Sequence, residues 1–99
     1  MNREGFWYND YEKDLPMPVA NAEPWDGQEE FLETLNVLEI SADSIGKRGF
    51  SRCRICGDIN GSVEYSLLDW AWPAGFRHYV EVHNVKPSDA FIRFAMQEI

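Results

Sequence analysis

The whole supply of cysteine and histidine in this 99-residue chain is two of each, and they fall in one ordered pattern: Cys53 and Cys56, then His78 and His83. A Cys-x-x-Cys step sets two thiolates on one ion, because the tight turn between them brings the sulfurs together and Gly57 relieves the backbone where the turn closes. A tetrahedral shell then needs two further donors. Four residues separate the histidines, within the spacing of about three to five found in Cys2His2 sites. Positions five apart on a regular helix point about 140° away from each other, so His83 is expected where a last helical turn loosens, with Asn84 as the stop. The candidate metal ligands are therefore Cys53, Cys56, His78 and His83, and the candidate cofactor is one structural zinc ion. The cysteine pair taken alone also suits thiol redox chemistry, and Arg52 and Arg54 beside it favour a thiolate for either purpose.

Around this pattern the chain reads as mixed α and β. Gly5 to Pro18 mixes Phe6, Trp7, Tyr8 and Tyr11 with charges and closes on Pro16-Met17-Pro18, which suits an extended arm docked on the body. A helix is expected from about Gly27 to Ile40: Asp26 is placed to cap it, Glu29 follows as in a capping box, and Phe31, Leu35 and Leu38 recur at helical spacing. After a connector over Ser41 to Gly46, a strand carries Phe50, Ser51 and Arg52 into Cys53. Asp58 to Ser62 supply turn residues, and Val63 to Leu68 alternate as a returning strand does, so the Cys pair sits at the bend of a β-hairpin. Trp70 to Trp72 bridge to Pro73, which opens a helix running to about His83 with Phe76, Tyr79, Val80 and Val82 inward. A last helix starts at Pro87 or Ser88 and packs Phe91, Phe94 and Ala95.

Charge divides the chain unevenly. Residues 1–46 hold two basic against eleven acidic side chains, a net of −9, whereas residues 47–99 hold seven basic against six acidic, a net of +1. The helix face formed by Glu29, Glu30, Glu33 and Asn36 is therefore a candidate contact for a protein partner with a basic surface. Lys47, Arg48, Arg52 and Arg54 form the opposite feature, a local basic cluster beside both cysteines that offers an anion, phosphate or nucleic-acid contact. The total of −8 argues against generic affinity for nucleic acid or anionic membrane.

Met1 to Asp14 lack the basic start and apolar stretch of a secretory signal, and no apolar run approaches the roughly 20 residues of a membrane span. A cytoplasmic location is expected, where closely spaced cysteines serve as metal ligands or a redox pair more often than as a structural disulfide.

The hairpin-then-helix order over residues 50–84 resembles a Cys2His2 zinc finger. Here 21 residues separate Cys56 from His78, against about 12 to 15 in the finger pattern, so Trp70 to Gly75 stand as an insertion. The helix sequence Phe76-Arg-His-Tyr-Val-Glu-Val82 lacks the polar, basic character of a base reader, which disfavours a DNA-reading role. The stretch from Cys53 to Gly57 and on through Trp72-Pro-Ala-Gly-Phe-Arg-His-Tyr-Val80 to His83 is also similar to small uncharacterised prokaryotic or phage proteins, which implies no activity. Glu81-Val-His-Asn-Val-Lys-Pro87 resembles a degenerate HNH nuclease core, which would make His83 a base and Glu81 a ligand. Asn84 stands where that core has its second histidine, and no Asn or His follows Pro87.

The expected protein is one α+β domain over residues 1–99. A zinc-stabilised hairpin bearing the cysteines and a helix bearing the histidines occupy 47–99, with an acidic arm and helix over 1–46. The expected function is a non-enzymatic protein–protein interaction module, of the kind small phage inhibitors or immunity proteins represent. The alternatives are a nucleic-acid module using the basic cluster or a degenerate HNH nuclease.

Overall fold

The computed structural model describes residues 2–7 and 12–97, and of Lys47 and Arg48 the backbone alone. Tyr8 and Tyr11 of the arm lie outside the described residues. The elements run β1 (Asn2–Arg3), α1 (Gln28–Ser41), β2 (Asp43–Arg52), β3 (Ile59–Leu67), β4 (Trp70–Pro73), α2 (Phe76–His83) and α3 (Asp89–Gln97). The architecture is α+β, with a four-stranded sheet in the order β1-β4-β3-β2 among the described residues.

Helix α1 forms because Phe31, Leu35 and Leu38 return to one side at every third or fourth position, and all three are buried. Its start departs from the capping box expected of Asp26 and Glu29. Gly27 is the N-cap, at φ +90°, and no side chain caps the helix. Gln28 supplies the order instead: its side-chain oxygen accepts from the Trp25 N–H at 3.2 Å, and its amide donates to Asn84 Oδ1 at 2.9 Å. A buried amide needs such partners, and these ties join the start of α1 to the end of α2.

The sheet is longer than the sequence pattern suggested. Asp43 to Gly46 belong to β2, paired with β3, and do not form a connector. The turn of the hairpin is confined to the residues between Arg52 and Ile59, so Asn60 to Ser62 are already strand. Trp70 to Pro73 form β4, antiparallel to β3 with Tyr65 opposite Trp72, so Pro73 closes a strand and does not open a helix. Strand β4 lies between β3 and β1, but its pairing with β1 covers only Trp70 and Ala71, so Pro73 stands at the strand's end beyond that pairing, where a missing N–H is tolerated. Of the extended arm expected over Gly5 to Pro18, residues 8–11 lie outside the described residues, and Glu12 to Leu15 form a turn with the Leu15 N–H on the Glu12 carbonyl at 3.4 Å. Asn2 and Arg3 pair in parallel with Trp70 and Ala71, and Gly5 lies so close to Phe76 that a Cβ there would come within 2.6 Å of its ring.

The core joins all three helices to the sheet. Phe31, Leu35 and Leu38 of α1 meet Phe76 and Val80 of α2, Phe91 and Ala95 of α3, and Trp72 of β4. Trp72 is fully buried and satisfies its indole by donating to Glu39 Oε2 at 3.0 Å, while Glu39 also holds Arg77 at 3.1 Å. Val82, expected inward, is 55% exposed, because the eight-residue α2 buries Phe76, Tyr79 and Val80 and turns the next position to solvent. Helix α3 begins at Asp89, directly after the expected start at Pro87 or Ser88; the Ser88 hydroxyl caps it by accepting from the Phe91 N–H at 3.2 Å, and Glu4 of the arm clasps that serine at 2.8 Å. No helix of the described residues is long and apolar enough to cross a membrane.

Candidate metal centre

Strand β2 delivers the chain into Cys53, and the next five residues turn it back into β3. The turn closes with the Gly57 N–H on the Cys53 carbonyl at 2.9 Å and the Cys53 N–H on the Asp58 carbonyl at 2.8 Å. Inside it the N–H groups of Ile55 and Cys56 point at Cys53 Sγ, at 3.4 and 3.5 Å. Gly57 adopts φ +79°, the left-handed conformation that glycine reaches without a Cβ clash.

Helix α2 supplies the other half. It is seated by Phe76, Tyr79 and Val80, and this places His78 toward the turn, with its Nε2 at 3.3 Å from Cys56 Sγ. His83 is the last residue of the helix. The Asn84 N–H reaches back to the Tyr79 carbonyl, a wider loop than the ordinary i to i−4 bond, and Asn84 itself is left-handed at φ 55°. That widening is the loosened turn the histidine spacing required. It brings the two imidazoles to a centroid separation of 5.1 Å at 72°.

One donor atom from each of Cys53, Cys56, His78 and His83 then lies within 4.8 Å of the others. Zinc bonds of about 2.3 Å to sulfur and about 2.0 Å to nitrogen imply sulfur-to-nitrogen edges of roughly 3.5 Å, close to the Cys56–His78 separation. His83 Nε2 is buried and has no hydrogen-bond partner among the described residues. A buried polar nitrogen left bare is costly unless something else satisfies it. The donor set, its spacing and this orphaned nitrogen all fit a metal ion.

The electrostatics agree. The Asp58 backbone favours the Cys56 thiolate, but desolvation and the adjoining Cys53 sulfur outweigh it and hold the Cys56 thiol above its ordinary range. Two sulfurs without a cation between them resist a shared negative charge, and a divalent ion removes that conflict. Burial likewise raises the Tyr79 phenol, against the opposing bond from Arg54. Tyr79 is a residue whose role the sequence did not disclose. Its hydroxyl accepts the Arg54 N–H at 2.7 Å, and its ring packs with Cys53, Val85 and Trp7 in a small second core beneath the cysteine turn.

The remaining candidates are more dispersed. Glu29, Glu30 and Glu33 are exposed on α1. Arg52 and Arg54 are exposed and share one cavity with the arm, whereas the side chains of Lys47 and Arg48 lie outside the described residues. Glu81 is exposed on α2 and is not among the gathered donors. No family model, curated protein or solved structure matches the chain.

Proposed function

We propose that this chain is a small non-enzymatic zinc protein in which one structural ion, held by Cys53, Cys56, His78 and His83, pins the β-hairpin to α2. The observation that carries the reading is the convergence of four donors within 4.8 Å, one of them a buried nitrogen with no protein partner among the described residues. Mixed sulfur and nitrogen donors in this number favour zinc among common divalent ions. Four protein ligands leave no open position for water, which supports a structural rather than a catalytic ion and leaves an HNH-type use of His83 without a free base. For a chain with a modest core, the ion contributes on the order of 10 kcal/mol of apparent binding free energy, comparable with a whole margin of stability.

The role of the stapled domain is then interaction. The exposed Glu29, Glu30 and Glu33 on α1, in the half of the chain with net charge −9, support a protein partner with a basic surface. Cobalt titration tests the site: Co2+ is expected to give tetrahedral d–d bands with sulfur charge transfer, lost in Cys56→Ser and displaced by zinc. Absence of those bands removes the metal reading. A salt series of pull-downs with wild type and the triple Glu29, Glu30 and Glu33 to Gln variant tests the partner surface. Identical behaviour of the two proteins toward every partner ends that part.

A further inference from the structure

A cavity of about 300 Å³ lies between the N-terminal arm and the β2–β3 hairpin. Its wall joins three kinds of chemistry. Phe6 and Trp7 come from the arm, Phe50 from β2 and Tyr79 from α2, giving four aromatic side chains. Arg52 and Arg54 add two guanidinium groups, and Ser51 and Asn60 add neutral polar groups. Phe50 is 69% exposed, a large apolar surface left at the rim of a cleft.

The polar groups are ordered. Arg52 donates to the Gly57 carbonyl at 3.2 Å and has no carboxylate partner among the described residues. A guanidinium carries five N–H donors, so this single bond orients the group and leaves donors for an anion. Ser51 Oγ lies 2.7 Å from Asn60 Oδ1 and 3.1 Å from the Gly61 carbonyl, which fixes the Asn60 amide in the wall. Gly61 forms part of the same wall, and a Cβ there would press on Ala74 and on the Gly75 nitrogen at 3.1 Å, so β3 and the start of α2 close tightly around it. Glu64, the acidic side chain in the lining, lies in the field of Arg3.

Aromatic faces bind planar rings, guanidinium groups bind phosphate in matched geometry, and an amide reads the edge of a base. We propose that this cavity is a site for a single nucleotide, with the base stacked on the aromatic side chains and the phosphate on Arg52 and Arg54. Its volume is at the small end of ligand pockets, which suits one nucleotide and excludes two. The nucleotide is either free or one unit of a single strand. The site goes beyond the zinc reading and stands without it, since the test uses the folded chain whatever its metal content.

The test is titration of the full chain with AMP, GMP, CMP and UMP, followed by amide and indole NMR shifts and by tryptophan fluorescence. The expected result is saturable binding of at least one nucleotide, with shifts at Trp7, Ser51, Gly61 and Ser62. The matching nucleoside and inorganic phosphate should each bind about tenfold more weakly or worse, and Phe50→Ala, a change at an exposed side chain, should weaken binding about tenfold. Arg52→Gln should remove the advantage of nucleotide over nucleoside; if it disturbs the fold, Phe50→Ala decides. Tighter binding of a tetranucleotide assigns the site to a strand, and equal binding assigns it to free nucleotide. No shifts up to millimolar ligand, shifts confined to other surfaces, or phosphate binding as tightly as nucleotide would overturn the proposal.

Discussion

The backbone N–H of Arg54 donates to the hydroxyl of Tyr79 at 2.7 Å, and this bond ties the cysteine turn to the helix that carries both histidines. Halves of the candidate metal centre that lie more than 20 residues apart in sequence are thus held in register by a tyrosine between the two histidines of α2. The contact is made by protein atoms alone, so its contribution to that register adds to that of an ion.

Tyr79→Phe keeps the ring packing and removes the acceptor. The Arg54 N–H then loses its partner, at a cost of about 1–2 kcal/mol, and the turn loses its anchor on α2. Urea denaturation should show that destabilisation, and competition with a zinc chelator should show weaker zinc retention. Unchanged zinc affinity would mean that the ion alone sets the position of the turn.

Asn84 combines a left-handed backbone with side-chain bonds to Gln28 and to the Asn21 carbonyl, at 2.9 and 3.1 Å. Asn84→Gly keeps the conformation and loses the bonds, costing about 1–2 kcal/mol in total. Asn84→Ala loses the same bonds and adds roughly 1 kcal/mol for a Cβ in left-handed backbone. The alanine variant is therefore expected to melt below the glycine variant, and the reverse order of melting temperatures would contradict the role given to this cap.

Leu35 is fully buried between the helices, whereas Val37 on the same helix is 48% exposed. Leu35→Ala should cost about 2–5 kcal/mol through lost burial and the cavity left behind. Val37→Ala should change stability by no more than about 0.5 kcal/mol. Chemical denaturation of the two variants measures both, and equal costs would displace the core from where the structure puts it.

Glu12 and Arg3 pair at 3.0 Å across the arm. The hydrogen bond and charge of Arg3 hold the Glu12 carboxyl below its ordinary range. A carboxyl depressed in the folded chain stabilises it above the unfolded pKa of about 4.3 and loses that contribution as pH falls through the lower folded value. Carboxyl-detected NMR titration should find Glu12 titrating below the ordinary glutamate range, and Arg3→Gln should return it to that range. Both groups are well exposed, so added salt should shrink the difference.

The sequence was legible where one local rule operated without competition. Phe31, Leu35 and Leu38 announced α1 by spacing, Asn84 announced the end of α2, and the cysteines announced the hairpin bend. The acidic start of α1 misled because Asp26 is a good capping residue in isolation, while the structure uses Gly27 and the long-range pair Gln28–Asn84. Trp70 to Pro73 read as a bridge because two tryptophans and a proline carry no alternation, and only pairing with Tyr65 and its neighbours makes them a strand. The convergence of Cys53, Cys56, His78 and His83 was legible because both histidines and both cysteines stood in known spacing. The Tyr79 hydroxyl was not, since a tyrosine among apolar neighbours reads as packing, and its partner is a backbone group 25 residues away.

The central claim is that Cys53, Cys56, His78 and His83 hold one structural zinc ion, and metal content measured together with fold tests it most directly. Elemental analysis of the purified chain should give one zinc per molecule, and a strong chelator should remove the ion and the near-ultraviolet circular dichroism together, with both restored on adding zinc. A metal-free chain that keeps its fold and melting temperature, with Cys53 and Cys56 joined in a reversible disulfide, would contradict the account.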